Sequence, residues 1–200
     1  VFVLLCLANL TSFAGPPLRD VIDSQIRSAW EREKVAPVGP ATDAEFLRRV
    51  YLDIVGVIPT HDETAAFLAD SSSEKRRALI DRLLDDPRYA RHMAEQWDVL
   101  LFTRNPPGSE ADKRDGIQRW LRDRFAENAP YDKLVRDLLR AEGDSVEHGP
   151  AMYFVQYRQR PEDMTEAVTQ TFLGVQLQCA RCHNHPFEPW TQHDFYGMAA

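Results

Sequence analysis

Cysteine is scarce in this sequence and unevenly placed. Three cysteines occur among 200 residues, one at position 6 and two near the C-terminal end, at positions 179 and 182. With so few cysteines, no structural disulfide beyond that last pair is predicted. The sequence also lacks a glycine-rich phosphate loop, a nucleophile elbow and an H-E-x-x-H motif. No catalytic residue is therefore assigned from motifs.

An excess of positive charge and a second long apolar run are also missing. The net charge is −7, with acidic and basic residues interspersed. This balance argues against nucleic acid or an anionic membrane surface as a partner. Beyond the N-terminal end, no segment is apolar enough to predict a membrane span. No segment alternates apolar and polar residues over a sustained length, so no strand is predicted.

The N-terminal end resembles the last part of an export signal. Residues 1–10 are almost wholly apolar and uncharged, and the run is too short to span a bilayer. Ser12 and Ala14 are small residues at the −3 and −1 positions of a cleavage site after Ala14. We interpret residues 1–14 as a signal remnant, which predicts a periplasmic or extracellular protein that has lost its first cysteine. The alternative, a buried N-terminal helix, is disfavoured by the Gly-Pro-Pro sequence that follows.

From residue 15 to residue 200 the pattern is helical almost throughout. Apolar residues recur at helical spacing, and Gly or Pro separates many of the segments. Capping boxes, in which Ser or Thr precedes Glu by three residues, are predicted at Thr42 with Glu45, Thr60 with Glu63 and Ser71 with Glu74. Pro87 and Pro161 each open a further helix. The predicted fold class is all-α, a compact array of short amphipathic helices in one domain over 15–200.

The motif with the clearest chemistry is Cys179-Ala180-Arg181-Cys182-His183. C-x-x-C-H is the attachment pattern of c-type haem. Two thiols at i and i+3 lie on one side of a helical turn, so each can form a thioether with one vinyl group. The adjacent imidazole can then bind the iron. We therefore predict Cys179 and Cys182 as cofactor-binding residues and His183 as an axial iron ligand. Export agrees with this prediction, because haem c is attached outside the bacterial cytoplasm.

Two other chemistries remain open for the same residues. Zinc could be bound by the two thiols and His183, joined by His185 or His193. Against this hypothesis, His183 follows Cys182 directly, which strains a site in which both residues bind one tetrahedral ion. The other alternative is a redox-active Cys-x-x-Cys pair, which normally lies at a helix N-terminus after a strand.

The iron ligand opposite His183 is not determined by the motif. His185 cannot supply it, because a two-residue span cannot pass around the edge of a flat macrocycle. We predict that His185 either orients His183 from outside the coordination sphere or lies at the surface. The candidates for the sixth position are Met198 and His193, followed by Met164 and Met152. Four aromatic residues are predicted to wall the haem pocket or to form a helical core: Phe187, Trp190, Phe195 and Tyr196.

Three segments, at 46–60, 82–89 and 172–196, together resemble a known family. The first two are F-L-R-R-V-Y-L-D-I-V-G-V-I-P-T and R-L-L-D-D-P-R-Y, and the third contains the C-x-x-C-H motif. The chain is similar to the planctomycete cytochrome c-type exported domain of unknown function (domain of unknown function 1549). The resemblance covers nearly all of 15–200. It implies haem c at the motif and a further C-terminal domain that this sequence lacks, and it implies no substrate.

Three hypotheses from different classes follow. The first is an exported electron-transfer module that carries haem c and exchanges electrons with its own missing C-terminal domain or with a redox partner protein. The second is a redox-feeding or structural domain of an extracytoplasmic enzyme, whose chemistry takes place elsewhere in the intact protein. The third is a zinc-stapled binding domain without redox chemistry.

Overall fold

The computed structural model describes residues 15–102 and 114–200, and in these residues the chain forms only helices and connecting segments. This confirms the all-α fold class. None of the described helices is both long and apolar enough to cross a lipid bilayer. Residues 1–14, the predicted export-signal remnant, lie outside the described residues.

Ten α-helices occur in the described residues: α1 (Leu18–Glu33), α2 (Asp43–Val55), α3 (His61–Ala69), α4 (Lys75–Leu84), α5 (Pro87–Phe102), α6 (Asp115–Ala126), α7 (Tyr131–Leu139), α8 (Met152–Val155), α9 (Pro161–Val168) and α10 (Gln192–Ala199). A π-helical turn follows α9 at Thr169–Leu173. Short 3₁₀ turns lie at Gly149–Ala151 and Gln178–Arg181.

The chain forms two compact units, which divide between Ala41 and Thr42. The first unit contains α1, none of whose side chains is buried. Large apolar residues recur along this helix at every fourth position: Leu18, Ile22, Ile26 and Trp30. The helix ends at Lys34, which adopts the left-handed conformation with φ 53°. The sequence predicts no boundary at Ala41, so this division is a finding of the structure.

The second unit begins with α2, α3 and α4, which pack around one hydrophobic cluster. Its buried members are Leu47, Val50, Tyr51, Val55, Phe67, Leu79 and Leu83. The capping boxes predicted at Thr42 and Thr60 are confirmed. The box predicted at Ser71 is wrong, because α4 begins only at Lys75. Asp70 accepts the N–H of Ser72, and the Ser72 hydroxyl accepts the N–H of Glu74, so a different turn precedes the helix.

Replacement of Thr60 by Ala is expected to destabilise the protein by about 1 kcal/mol, the usual cost of losing an N-cap. The Thr60 hydroxyl accepts the N–H of Glu63 over 3.2 Å, and the Glu63 carboxylate accepts the N–H of Thr60 over 2.7 Å. Urea unfolding measures the change. Thr64→Ala is the control inside α3: its hydroxyl donates back to the Thr60 carbonyl over 2.8 Å and takes no part in the capping box, so we expect a change below about 0.5 kcal/mol. Equal losses in both variants would contradict the cap.

The larger hydrophobic cluster is formed by α5 to α9. Its buried members are Ala94, Leu101, Phe102, Ile117, Leu121, Leu138, Met152, Tyr153 and Val168. Within it, α6 meets the first 3₁₀ turn at Gly116 and Gly149. A Cβ atom on Gly149 would lie 2.3 Å from the carbonyl oxygen of Gly116, so the two backbones approach more closely than any side chain allows. This contact positions α8 and α9, which lead into the C-terminal motif.

Candidate functional site

The C-x-x-C-H motif follows α9 through the π-helical turn. Gly174 ends that turn in the left-handed conformation, with φ 66°, where a side chain would be strained. The N–H of Val175 donates to the carbonyl of Thr169 over 3.1 Å. The buried hydroxyl of Thr169 donates in turn to the carbonyl of Thr165 over 2.9 Å. These bonds fix the direction in which the chain leaves α9.

A small hydrophobic cluster anchors the middle of the motif. Ala180, which lies between the two cysteines, is 0% exposed, as is Phe195 of α10. Leu177 completes the buried set, and Val175 and Trp190 pack against it while partly exposed. The motif is therefore fixed against α10 through its central alanine, while the cysteines on either side remain nearer to solvent.

The two cysteines lie one turn apart at the second 3₁₀ turn. The carbonyl of Cys179 accepts the N–H groups of Cys182 and His183, each over 3.4 Å. Side chains at i and i+3 of an ideal 3₁₀ helix eclipse one another. Cys182 caps this turn with φ −110° and ψ −28°, so it lies at the end of the turn that contains Cys179. Both cysteines are free, Cys179 half-buried and Cys182 exposed. The structure thus places Cys179 within the 3₁₀ turn and Cys182 at its C-terminal end.

The tautomer of His183 follows from its hydrogen bond. The ring is exposed, and its Nδ1 lies 2.7 Å from the carbonyl oxygen of Asn184. A carbonyl oxygen can only accept, so we assign a proton to Nδ1, and in the neutral ring the lone pair then lies on Nε2. Metal-binding histidines commonly donate one ring N–H to such an acceptor and bind the metal through the other nitrogen. His183 is therefore in a form that can ligate iron through Nε2.

His185 has the opposite tautomer and closes the loop that follows the motif. Its ring Nδ1 accepts the backbone N–H groups of Phe187, over 3.3 Å, and Glu188, over 3.0 Å. Its own backbone N–H donates to the carbonyl of Trp190 over 2.8 Å. Because Nδ1 already accepts two donors, it is not available to a metal ion. Its predicted role beside His183 stays a prediction, since these partners are backbone groups of the loop.

The same loop is tied to the start of α10. The N–H of Gln192 donates to the side-chain oxygen of Asn184 over 3.1 Å. Thr191 and Asp194 form a capping box, and the backbone N–H of Thr191 lowers the pKa of the Asp194 carboxyl. The pattern Ser or Thr followed by Glu does not find this box, because Asp takes the place of Glu.

Arg181, the second residue between the cysteines, connects the motif to two helices. Its Nη1 lies 3.0 Å from Oδ1 of Asp163 and 3.4 Å from Oε1 of Glu166, both on α9. The Asp163 carboxylate raises the pKa of the Arg181 guanidinium. The carbonyl of Arg181 accepts hydrogen bonds from the Gln192 amide, over 3.2 Å, and the Tyr196 hydroxyl, over 3.4 Å. No sequence motif predicts these contacts.

The two first candidates for the sixth iron position lie on α10 and point in different directions. Phe195 faces the motif. At about 100° per residue, Met198 lies about 60° from Phe195 around the helix and His193 about 160° away. Both side chains are exposed, Met198 at 45%. Met152 is 1% exposed in the larger cluster and Met164 packs against that cluster, so both act as core residues in this structure.

The four aromatic residues predicted to wall a haem pocket divide into two groups. Trp190 and Phe195 belong to the small cluster under the motif. Tyr196 is half-exposed, and Phe187 is 91% exposed. Phe187 therefore belongs to no hydrophobic core within the described residues, and its ring meets the edge or face of the His185 ring, with centroids 6.5 Å apart.

Zinc and haem need different numbers of protein ligands from the C-x-x-C-H motif and its neighbours. In the part of the chain that the structure describes, no group of three or more His, Cys, Asp or Glu side chains could hold a metal ion. A structural zinc site needs such a group, because it binds the ion through four protein ligands. Haem c does not need one, since the two sulfurs bond to the porphyrin and only the histidine of the motif binds iron.

Fold and site together define a helical protein whose C-terminal segment carries a C-x-x-C-H turn at its surface. Residues 21–200 match the family model PSCyt2, described as a protein of unknown function (DUF1549), and the chain belongs to this family. The match agrees with the resemblance carried by the three sequence segments. No curated protein and no solved structure matches the chain.

Proposed function

We propose that this chain is an exported haem c protein that acts as the electron-transfer module of a larger protein. The observation that carries the proposal is the surface turn at the motif. It carries two free thiols at i and i+3, followed directly by an imidazole whose Nδ1 is hydrogen-bonded to the carbonyl of Asn184. This is the donor set that covalent haem attachment uses.

Each residue of the turn would have one task. Cys179 and Cys182 would hold the porphyrin through thioether bonds. His183 would bind the iron through Nε2 while its Nδ1–H stays bonded to the carbonyl of Asn184. Phe187, with 91% of its surface exposed, would gain from packing against the apolar porphyrin. When bound, haem c supplies a centre for reversible one-electron oxidation and reduction.

Exposure of the motif favours electron transfer over catalysis. Cys182 and His183 are both exposed, so a group attached there would be accessible to another protein. A catalytic haem site would instead need a cavity that encloses a substrate and excludes water. The electron partner would be a further C-terminal domain of the intact protein or a separate redox protein. The apolar segment at 1–14 supports export, which places the chain where haem c is attached.

The visible spectrum of the exported protein tests this proposal. The chain is expressed with a complete export signal in a host that matures haem c. We expect the visible spectrum of the reduced protein to show the α band of haem c. The haem should stay on the denatured chain after acid-acetone extraction and should stain on a denaturing gel. N-terminal sequencing should begin within a residue or two of Gly15. A colourless protein with stoichiometric zinc would contradict the proposal.

The sixth ligand can be tested by comparing two residues on α10. If Met198 binds the iron, the oxidised protein has a near-infrared sulfur-to-iron charge-transfer band, and Met198→Ala removes it. The same substitution lowers the reduction potential, because a thioether favours ferrous iron. His193→Ala is the control and should preserve both properties, since His193 lies on the far face of α10. If the unmodified protein binds carbon monoxide without displacing a ligand, the iron is five-coordinate and neither residue is the ligand.

A further inference from the structure

We propose that Arg181 is a positioning residue, whose ion pairs with Asp163 and Glu166 hold the C-x-x-C-H turn in the orientation needed for haem attachment. The purpose assigned to these contacts rests on the proposed function. The contacts themselves belong to the haem-free chain. We call the two contacts, Arg181 with Asp163 and Arg181 with Glu166, the Arg181 ion pairs.

The Arg181 ion pairs form part of a longer line of charges, in which Asp163 and Glu166 of α9 lie between or beside Arg181 and Arg160, the residue that precedes α9. One nitrogen, Nη1 of Arg181, lies near a carboxylate oxygen of each partner, at 3.0 Å from Asp163 and 3.4 Å from Glu166. The other oxygen of Asp163 accepts a bond from Nη1 of Arg160 over 3.2 Å. Asp163 is thus held from both sides. The order of charges is Arg160, Asp163, Arg181 and Glu166, so each cation lies next to at least one carboxylate.

These ion pairs connect the turn to the larger hydrophobic cluster. Val168 of α9 is buried in that cluster and Met164 packs against it, so α9 cannot turn freely. The backbone of Arg181 is held separately by α10, and Ala180 by the small cluster. The Arg181 side chain therefore adds a contact to α9 at the residue directly between Ala180 and Cys182. Vinyl groups have fixed positions on a porphyrin, so two thiols can react in register only if the turn between them keeps its shape.

The Arg181 ion pairs are partly exposed, so their effect on the orientation of the turn can be separated from global stability. Side-chain exposure is 39% for Arg181, 36% for Asp163 and 28% for Glu166. Ion pairs of this exposure contribute little to global stability. Ala180 and α10 would still hold the turn without them. We therefore expect Arg181→Gln to fold, with a turn that moves more freely against α9.

The experiment measures thiol reactivity in the haem-free protein and haem loading in a maturing host. Mass spectrometry follows alkylation of each cysteine by iodoacetamide. We expect Arg181→Gln to increase the alkylation rate of half-buried Cys179 about 3- to 5-fold and to lower haem loading by a similar factor, the fold-change that corresponds to the loss of partly exposed ion pairs worth up to about 1 kcal/mol. Arg181→Lys should keep most of both properties, because one nitrogen makes both contacts. The matched control is Arg136→Gln, which removes an exposed arginine paired with Asp132 on α7.

Specific results would overturn the proposal. Unchanged alkylation and loading in Arg181→Gln would do so, as would a rise in alkylation that matches a loss of global stability in urea. If Arg181→Gln does not fold, the double variant Asp163→Asn with Glu166→Gln removes the carboxylates that face Arg181, together with the Arg160–Asp163 pair, and is judged by the same criteria with Arg160→Gln as its control. Failure of the unmodified protein to bind haem refutes the proposed function. The alkylation rates would still decide whether the Arg181 ion pairs hold the turn.

Discussion

Replacement of both Cys179 and Cys182 by alanine is expected to abolish covalent haem attachment. Each thioether bond consumes one thiol, and these are the free cysteines among the described residues. The double variant should give no haem-stained band on a denaturing gel, whereas each single variant should keep one bond and a weaker band. Cys182 is exposed, so Cys182→Ala should change stability by less than about 0.5 kcal/mol, and urea unfolding of the double variant checks that the loss of half-buried Cys179 leaves the fold intact.

Two histidine variants make the same test more specific. His183→Ala should lose the proximal ligand and alter the spectrum of any attached haem. His185→Ala is the matched control, since its ring accepts bonds from the loop backbone and should affect only the loop. A stained band in the double cysteine variant, or identical spectra for the two histidine variants, would contradict the assignment of ligands.

Gly149→Ala is expected to destabilise the protein by about 3 kcal/mol, which corresponds to a fall in melting temperature of roughly 10 °C. Its new Cβ would lie 2.3 Å from the carbonyl oxygen and 2.4 Å from the carbonyl carbon of Gly116. Both atoms belong to the backbone of α6, so no side-chain rotation can relieve the overlap. α6 and the 3₁₀ turn would have to separate, and the larger cluster would lose packing. Thermal unfolding followed by circular dichroism measures the effect.

Two other glycines provide a graded comparison. A Cβ on Gly116 would meet the Cα atom of Gly149 at 3.2 Å, a tighter contact than usual but a smaller overlap, so Gly116→Ala should cost less. Gly197 lies in α10 with nothing within 4 Å of an added Cβ. Gly197→Ala should therefore stabilise the protein by about 0.5 to 1 kcal/mol, because alanine favours a helix. If Gly149→Ala and Gly197→Ala have the same stability, the close approach of α6 to the 3₁₀ turn at Gly149 does not contribute to the stability of the fold.

Local features of the fold could be predicted from the sequence because they depend on neighbouring residues. The boxes at Thr42 and Thr60 each use two residues three positions apart, and Pro87 and Pro161 begin helices through their own fixed backbone angles. The turn at Ser71 shows the limit of this approach. There, the Asp70 carboxylate accepts the backbone N–H of Ser72, and this hydrogen bond belongs to a different turn from the predicted capping box.

The donor set of the candidate site was likewise contained in five consecutive residues, since two thiols and an imidazole follow one another there in the sequence. What only the tertiary structure decided lies between distant parts of the chain. It placed Arg181 against Asp163, and Gly149 against Gly116. It also gave His183 and His185 opposite tautomers through their different backbone partners. Such contacts depend on how whole helices pack, and no local pattern specifies which residues will then meet.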